Sequence, residues 1–549
     1  FHLNDSSYVH DLDEVLVVSQ PKEQYRLRLQ PISSSMFSGD NINSLNVRDL
    51  RELSVYVPNF NMPNYGSRYT SAIYVRGTGS RINSPAVGIY IDGMPVMSKS
   101  AFNTHIYDLS RIDILRGPQA TLYGLNSEAG LVRLYTKNPM NYQGTDIHIG
   151  GGSYFYRNAE LSHYKKVNDW FAFSVAGFYE GQNGFFKNEF LNEDADKYNE
   201  GGGRLKLMFR PTKQWTADIT ADYQYTRQNG FPYGQIGEDG LAQDPATNVM
   251  NNYKRYLFTT ALNVGYHGNG YDFTSTSSYQ YLNAFTQEFA FKSKRPVGDF
   301  WHWTVGAFGG FSWLKTNSLV DFGKEMDSFL GNTVQKSMYD AMLNAMAGRF
   351  IGMGMTPDAA SAAAGAMIEQ AGGVNMMMDM REVPGVYRTP IYNIGFFHES
   401  SFDITERLSA MLGLRYDWSH VSIDYSTSAS IFSAANVMGR TAEVTVSSLL
   451  KNQSTNDFDQ LLPKFTYRVS DNGSNVYATL SKGYRAGGYN IQMFSDILQA
   501  ELQANSSQRA DYSIPHSTDD YARINKTIAY KPETSWNYEV GTHLNLFNN

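Results

Sequence analysis

The segment Trp215-Thr216-Ala217-Asp218-Ile219-Thr220-Ala221-Asp222-Tyr223-Gln224-Tyr225-Thr226 decides the fold class. In an extended chain successive side chains point to opposite sides. Trp215, Ala217, Ile219, Ala221, Tyr223 and Tyr225 therefore share one face, and Thr216, Asp218, Thr220, Asp222, Gln224 and Thr226 share the other. One face suits hydrocarbon, the other water. From Leu408 to Trp418 the pattern repeats, with Leu408, Ala410, Leu412, Leu414, Tyr416 and Trp418 set against Ser409, Met411, Gly413, Arg415 and Asp417. Both runs end in aromatic residues, as strands do at a membrane interface. Similar stretches lie near 145–157, 169–182, 201–210, 254–267, 300–316, 392–404, 474–485 and 534–547, separated by short polar turns and long connections. Soluble sandwiches and solenoids also alternate, but short turns on one side and long loops on the other mark an all-β transmembrane barrel.

Composition agrees. Aromatic residues make up 14% of the 549, and glycine is plentiful at 47, which suits strands and tight turns. No run of about 18 apolar residues occurs, which excludes a helical span. A mean hydropathy of −0.41 does not exclude a barrel, whose strands carry one polar face. The formal charge of −7, from 46 Lys and Arg against 53 Asp and Glu, gives no basic field, so no nucleic-acid partner is expected. With no cysteine there is no disulfide, no thiolate nucleophile and no Cys-based metal centre. Gly150–Gly152 and Gly201–Gly203 lack the Lys-Ser/Thr pair of a phosphate loop, and the eleven histidines form no H-E-x-x-H pair. His105 and His420 read as ligand contacts or as ordinary hydrogen-bonded residues. No cofactor, resident metal or catalytic residue is expected, and nothing in these motifs proposes an enzyme. Phe1 opens the sequence without a charged and then apolar leader, so any export signal is expected to have been removed or left out.

Residues 11–139 read differently. A helical pattern at Val47–Leu53 is followed by short apolar strands at Ala72–Arg76, Val87–Ile91, Arg111–Leu115 and Leu131–Thr136. This is a small α/β domain with its boundary near Asn138–Tyr142, and a wide barrel lumen needs such a plug.

Three segments of that domain carry a specific resemblance. Ser71-Ala72-Ile73-Tyr74-Val75-Arg76-Gly77, Ile89-Tyr90-Ile91-Asp92-Gly93-Met94-Pro95 and Arg111-Ile112-Asp113-Ile114-Leu115-Arg116-Gly117-Pro118-Gln119-Ala120-Thr121-Leu122-Tyr123-Gly124 look like the plug signature of TonB-dependent outer-membrane receptors, in the family's order and spacing. Upstream, Asp13-Glu14-Val15-Leu16-Val17-Val18 resembles the Ton box. Downstream, Tyr484-Arg485-Ala486-Gly487-Gly488-Tyr489-Asn490 is similar to a barrel motif of ferric-siderophore receptors. The resemblance implies an N-terminal tether with its Ton box at 1–28, a plug at 29–140 and a barrel at 141–549. It implies the outer membrane of a Gram-negative bacterium as the location, and the TonB energy-transducing protein, outer-membrane lipid and a small metal chelate as partners. It also implies about 22 antiparallel strands in a complete barrel. About 410 residues follow the plug (549 minus roughly 139) and ten to fourteen strands are legible, so this chain is expected to cover only part of the barrel.

Each motif also has a physical reading. Gly117 can take a backbone conformation closed to other residues and Pro118 fixes the next φ angle, so a strand turns there. Arg76 and Arg116 sit at strand ends, where pairing with barrel carboxylates would hold the plug while leaving it removable. The Ton box is either an extended segment that adds to a partner's sheet edge or simply the plug's first strand. By resemblance the apical plug loops contact ligand. Here they are Asn61–Thr70, with Tyr65, Arg68 and Tyr69, and Met97–Asn103, with Met97, Lys99 and Phe102. Arginine and lysine would meet an anionic chelate and the aromatics would stack on a flat one.

The long segment 317–388 holds eleven methionines: Met326, Met338, Met342, Met346, Met353, Met355, Met367, Met376, Met377, Met378 and Met380. Thr356-Pro357-Asp358 starts a helix that Gly372-Gly373 ends, and a second helix is predicted over Val334–Phe350. This Met-rich helical extracellular loop fits packing against a surface partner or a ligand better than ligation of a soft metal. The leading expectation is TonB-dependent import of an iron–siderophore complex. The alternatives are haem, cobalamin, a glycan or peptide, or a surface adhesin or accessory protein on the same scaffold.

Overall fold

A sheet with a path of fourteen antiparallel strands carries most of the chain in the computed structural model, which describes residues 22–23, 27, 30–67, 71–82, 84–124, 126–281, 283–320, 323–380, 382–471 and 474–544. A smaller five-stranded sheet precedes it. Its strands are β1 (Ser33–Ser38), β2 (Val87–Ile91), β3 (Met94–Pro95), β4 (Leu109–Arg116) and β5 (Gly130–Thr136), in the order β1-β4-β5-β2-β3. Only β2 and β5 run parallel. Helix α1 (Gly39–Ser44) is closed by a Ser38 capping box, and the predicted helix over Val47–Leu53 is instead a 3-10 helix at Leu50–Val55, capped by Asp49 and Glu52. A short helix α2 (Ala120–Tyr123) follows β4. Ile112, Ile114, Leu50, Leu53, Val75, Val87 and Val132 form an apolar core beneath this sheet, so the small domain has an interior of its own.

The large sheet runs through β6 (Gly144–Gly152), β7 (Tyr156–Asn168), β8 (Phe171–Gln182), β9 (Tyr198–Phe209), β10 (Trp215–Asn229), β11 (Asn252–His267), β12 (Tyr271–Gln280), β13 (Ala284–Ser293) and β14 (Trp301–Val320). After an insertion come β16 (Val383–Asp403), β17 (Leu408–Val437), β18 (Arg440–Asp471), β19 (Ser474–Arg485) and β20 (Glu533–His543), with β6 and β20 at the two edges. Side chains sort by face as the alternation requires. On β10, Trp215, Ile219 and Tyr223 are exposed while Asp222, Gln224 and Thr226 are buried. Trp215, Ile219 and Tyr223 stand opposite Tyr266, Leu262 and Phe258 of β11, forming an apolar outer band of cross-strand pairs. On β17, Leu412, Leu414 and Tyr416 face out, and Arg415 and Asp417 are buried toward the small domain.

Strand connections differ by end. The turns 169–170, 210–214, 268–270, 294–300, 404–407 and 472–473 are short, whereas 183–197, 230–251, 321–382 and 486–532 at the opposite end are long. Three connections at that long-loop end are also tight, among them Ser153-Tyr154-Phe155. The alternation predicted over 145–157 runs through this turn, where Tyr154 and Phe155 take left-handed backbone with φ of 55° each.

The insertion holds α3 (Lys324–Gly352), α4 (Pro357–Gln370) and β15 (Val374–Met380), and β15 pairs with β17. Helix α3 is longer than predicted. Helix α4 starts with Pro357 at its first turn as read, but Thr356 makes no side-chain cap, and Gly372 and Gly373 end it with positive φ. Met376, Met377, Met378 and Met380 lie on β15 rather than in a helix. Two further helices, α5 (Met493–Ala504) and α6 (Thr518–Ile528), press Phe494, Leu498, Leu502, Ile524 and Ile528 onto Tyr425, Val446 and Leu450 of β17 and β18.

Candidate functional site: the plug, its wall and an outer cavity

The small domain meets the wall through charged and hydrogen-bonded groups and through apolar clusters, one joining Leu115 and Leu122 with Ala290 and Phe397 and another joining Ala120 with Leu462 and Tyr484. Asp92 and Gly93 form the tight turn between β2 and β3, with φ of 47° and 86°, as a two-residue hairpin requires. That turn aims the Asp92 carboxylate at Lys206 Nζ of β9, 3.0 Å away, and at the Thr136 hydroxyl at 2.6 Å. Burial pushes this carboxyl up, but Lys206 and Thr136 outweigh it and hold Asp92 below the usual carboxylate range. Arg204 Nη2 of β9 lies 3.0 Å from Asp222 Oδ2, and the Tyr107 hydroxyl donates to the same Asp222 at 2.6 Å.

The motif residues assemble as neighbours. Arg76, left-handed at φ 52°, reaches Glu539 of β20 at 2.8 Å. Gly77 completes its turn, with φ 80°. Arg116 was expected to pair with a barrel carboxylate as well, but its guanidinium donates to the carbonyls of Pro58 at 3.1 Å and Ser34 at 3.4 Å inside the small domain. Gly117, at φ 119°, passes so close to this lock that a Cβ there would lie 3.2 Å from Glu539 Oε2. After Pro118 and helix α2, the Tyr123 hydroxyl donates to Glu23 at 2.8 Å. Gly124 has φ 68°, a backbone that favours glycine, and a Cβ on it would crowd the Arg415 guanidinium of the wall. Tyr484 is fully buried against Ala120 and Leu462, which puts the downstream motif at the foot of α2.

At the long-loop end, between small domain and wall, lies a cavity of about 580 Å³. Asn64, Gly66 and Ser67 of the first predicted loop line it, as do Arg48, Arg51, Asp49 and Glu52. Tyr156, Glu180, Phe185, Phe186, Tyr198 and Tyr233 supply the wall. Both arginines are engaged: Arg51 pairs with Asp49 at 2.9 Å and Arg48 with Glu160 at 3.6 Å. Tyr65 stands beside the cavity, its ring 4.6 Å under Arg81 and its carbonyl accepting from the Tyr233 hydroxyl at 2.6 Å.

The second predicted loop behaves otherwise. Phe102 is 1% exposed in the apolar core, so its ring is structural and not a contact for ligand. The Met97 amide donates to Gln280 at 3.0 Å, and Lys99 donates to the carbonyls of Ser80 and Arg81. Burial lowers the Lys99 ammonium to about 8. Arg68, Tyr69 and the Ton box residues Asp13 to Val18 lie outside the described residues. The wall aromatics escaped the sequence reading because strand register brings Tyr156 and Tyr198 to the cavity, whereas Phe185, Phe186 and Tyr233 reach it from long connections. The only local signal was the two long connections 183–197 and 230–251. His105 is buried against Glu160 and Glu180 of the wall, and His420, within β17, pairs with Asp457 of β18 at 2.9 Å.

A β-sheet with an apolar outer band, a polar inner face and a separate domain held against that face defines a plugged outer-membrane barrel. The family models agree: "TonB-dependent Receptor Plug Domain" matches residues 26–131 and "TonB dependent receptor-like, beta-barrel" matches 134–549. The chain belongs to the TonB-dependent receptors, outer-membrane proteins of Gram-negative bacteria. It is 31% identical over 130 residues to the pesticin receptor of Yersinia pestis, a stretch that is 23% of this chain and 19% of that protein, so the match spans about a fifth of that relative's length. The fold is similar to the ferric yersiniabactin uptake receptor FyuA of Yersinia pestis, with a TM-score of 0.59 at 18% identity over 93% of this chain and 69% of that one. It is also similar to the closed form of the ferric-catecholate import receptor Fiu of E. coli K12, with a TM-score of 0.56 at 13% identity over 96% and 73%.

Proposed function

We propose that this chain is the receptor part of an importer that takes an iron chelate from outside the cell, drawing on energy delivered through TonB at Asp13–Val18, and that it performs no catalysis. The observation that carries the reading is the 580 Å³ cavity at the long-loop end, whose floor is the plug and whose walls are aromatic and hydroxyl-bearing. A cavity of that size suits a small chelate, and ring faces with a few placed polar groups are how such sites bind. The names of the relatives, a ferric yersiniabactin uptake receptor and a ferric-catecholate import receptor, support an iron complex. Of the predicted contacts, Tyr65 with Asn64, Gly66 and Ser67 stays in the proposed site, and Arg68 and Tyr69 belong to the same loop. Met97 and Lys99 position the neighbouring loop. Arg48 and Arg51 are outnumbered in the lining by Asp49, Glu52, Glu180 and Asp196, which favours a neutral or cationic chelate over a strongly anionic one.

The test is uptake by cells carrying the complete gene, with a neutral or cationic ferric hydroxamate, an anionic ferric triscatecholate, haem and cobalamin. The native protein is compared with a Val15→Pro variant, since proline removes the backbone donor that strand addition to a partner needs. Uptake of the hydroxamate that collapses in the variant while surface binding persists is the expected result. Unchanged uptake of every compound would end the import reading and leave a surface adhesin or accessory protein.

A further inference from the structure

We infer that His105, Glu180 and Glu200 form a binding site for one divalent transition cation, of the zinc or manganese kind, at the seam between plug and barrel. Glu180 of β8 and Glu200 of β9 are register partners, directly opposite each other on the inward face, and are 4% and 2% exposed. Like charges in that position repel, and burial removes the water that would screen them. The plug places an imidazole against this pair. His105 Nδ1 lies 3.4 Å from Glu180 Oε2 and 3.7 Å from Glu200 Oε1, and the three ligand atoms lie within 4.8 Å of one another.

Those separations are long for charge-assisted hydrogen bonds, which run nearer 2.8 Å. They match the spacing of about 3.4 Å between donors around a tetrahedral cation with bonds of about 2.1 Å. The orientation of the ring supports the same reading. With Nδ1 facing the two carboxylates, Nε2 lies 3.4 Å from Glu160 Oε1 of β7, the outer carboxylate that fixes the tautomer of a metal-bound histidine. The ring is held flat on Phe178, 4.1 Å between centroids and 11° from parallel.

Donor chemistry and access agree with it. One nitrogen and two or three carboxylate oxygens are a donor set for zinc, manganese or ferrous iron rather than cuprous copper. Other groups facing the cluster are Arg48 at 3.6 Å from Glu160, and Tyr156 and Tyr198, whose hydroxyls donate to Glu180 at 3.2 Å and 2.8 Å. The Thr226 hydroxyl donates to Glu200 at 3.4 Å. Glu180 also lines the outer cavity, which gives the cation its route in. Once bound, the ion ties the plug to two adjacent strands of the wall.

The experiment is calorimetric titration of the full-length detergent-solubilised receptor with Zn²⁺ and with Mn²⁺, plus Co²⁺ as an absorption probe of coordination geometry. The expected result is one saturable site, weakened at least tenfold in His105→Ala and Glu200→Gln. In Glu160→Gln, which spares all three ligands, a loss of about tenfold is expected. Native circular dichroism is required of each variant, and Glu160→Gln keeps the test meaningful if a ligand variant fails to fold. Absence of saturable binding in the native protein, or equal affinity in all three variants, overturns the inference and leaves His105 as a structural contact among carboxylates. Chelate uptake is not part of this readout, so its failure and the failure of the import reading are separable.

Discussion

The inside of the plug and its seam with the wall mix apolar and polar contacts in different proportions. Inside, Ile112, Ile114, Leu50, Leu53 and Val132 are almost wholly buried against one another. Along the seam, Asp92 meets Lys206, Arg76 meets Glu539, Tyr107 meets Asp222 and His105 meets three glutamates. Apolar contacts have no replacement in water, whereas a polar contact can be exchanged for hydration when water enters. The domain therefore has an interior that holds its shape independently of the polar part of its attachment, which can exchange with water.

The comparison is sharpened first by Ile114→Ala, which deletes buried methylenes from the plug interior. It is expected to destabilise the plug by about 2–5 kcal/mol, read by denaturant unfolding of the plug with the barrel signal unchanged. A loss under 1 kcal/mol would show that the interior is not what holds the domain together. A smaller effect, of about 1–3 kcal/mol, is expected from Lys206→Met, which leaves the buried Asp92 carboxylate without its cation. It should appear as faster hydrogen exchange over residues 87–95 with plug unfolding otherwise unchanged.

Acid tests the same contact. Because Asp92 is held below its unfolded value of about 3.9, its share of the attachment is present above about pH 4 and is lost as pH falls through the lower folded value. Exchange in the native protein should therefore accelerate below about pH 4, and in Lys206→Met this acid-dependent acceleration should be smaller, because Asp92 is no longer held as far below its unfolded value. The smallest effect is expected from Arg388→Gln, which breaks an ion pair to Asp424 whose side chains are about half exposed. A change above about 0.5 kcal/mol there would contradict the view that exposed pairs contribute little.

Some of this was legible in the sequence, for reasons that particular strands make plain. Strands β10 and β17 announced themselves because lipid on one side and a polar lumen on the other impose opposite chemistry on alternate residues. Strand β12 did not, because Thr274 to Ser278 are small and polar on both faces. The three plug motifs were readable because each marks a turn whose backbone only a few residues tolerate. Arg116 and Phe102 were misplaced because sequence spacing gives a residue's position along the chain but not whether the domain's own interior claims it. The cavity wall was invisible for a third reason: Tyr156, Tyr198 and Tyr233 become neighbours only when the sheet curves around the plug.

The hairpin of β17 and β18 has one more implication. At about 3.3 Å per residue and a tilt near 40°, a strand of 30 residues climbs roughly 75 Å along the membrane normal, against an apolar band about 25 Å tall. Most of the hairpin, with α5 and α6 clamped to it, therefore stands clear of the lipid like a mast. Whatever approaches the barrel from the long-loop end meets that mast before it meets the mouth.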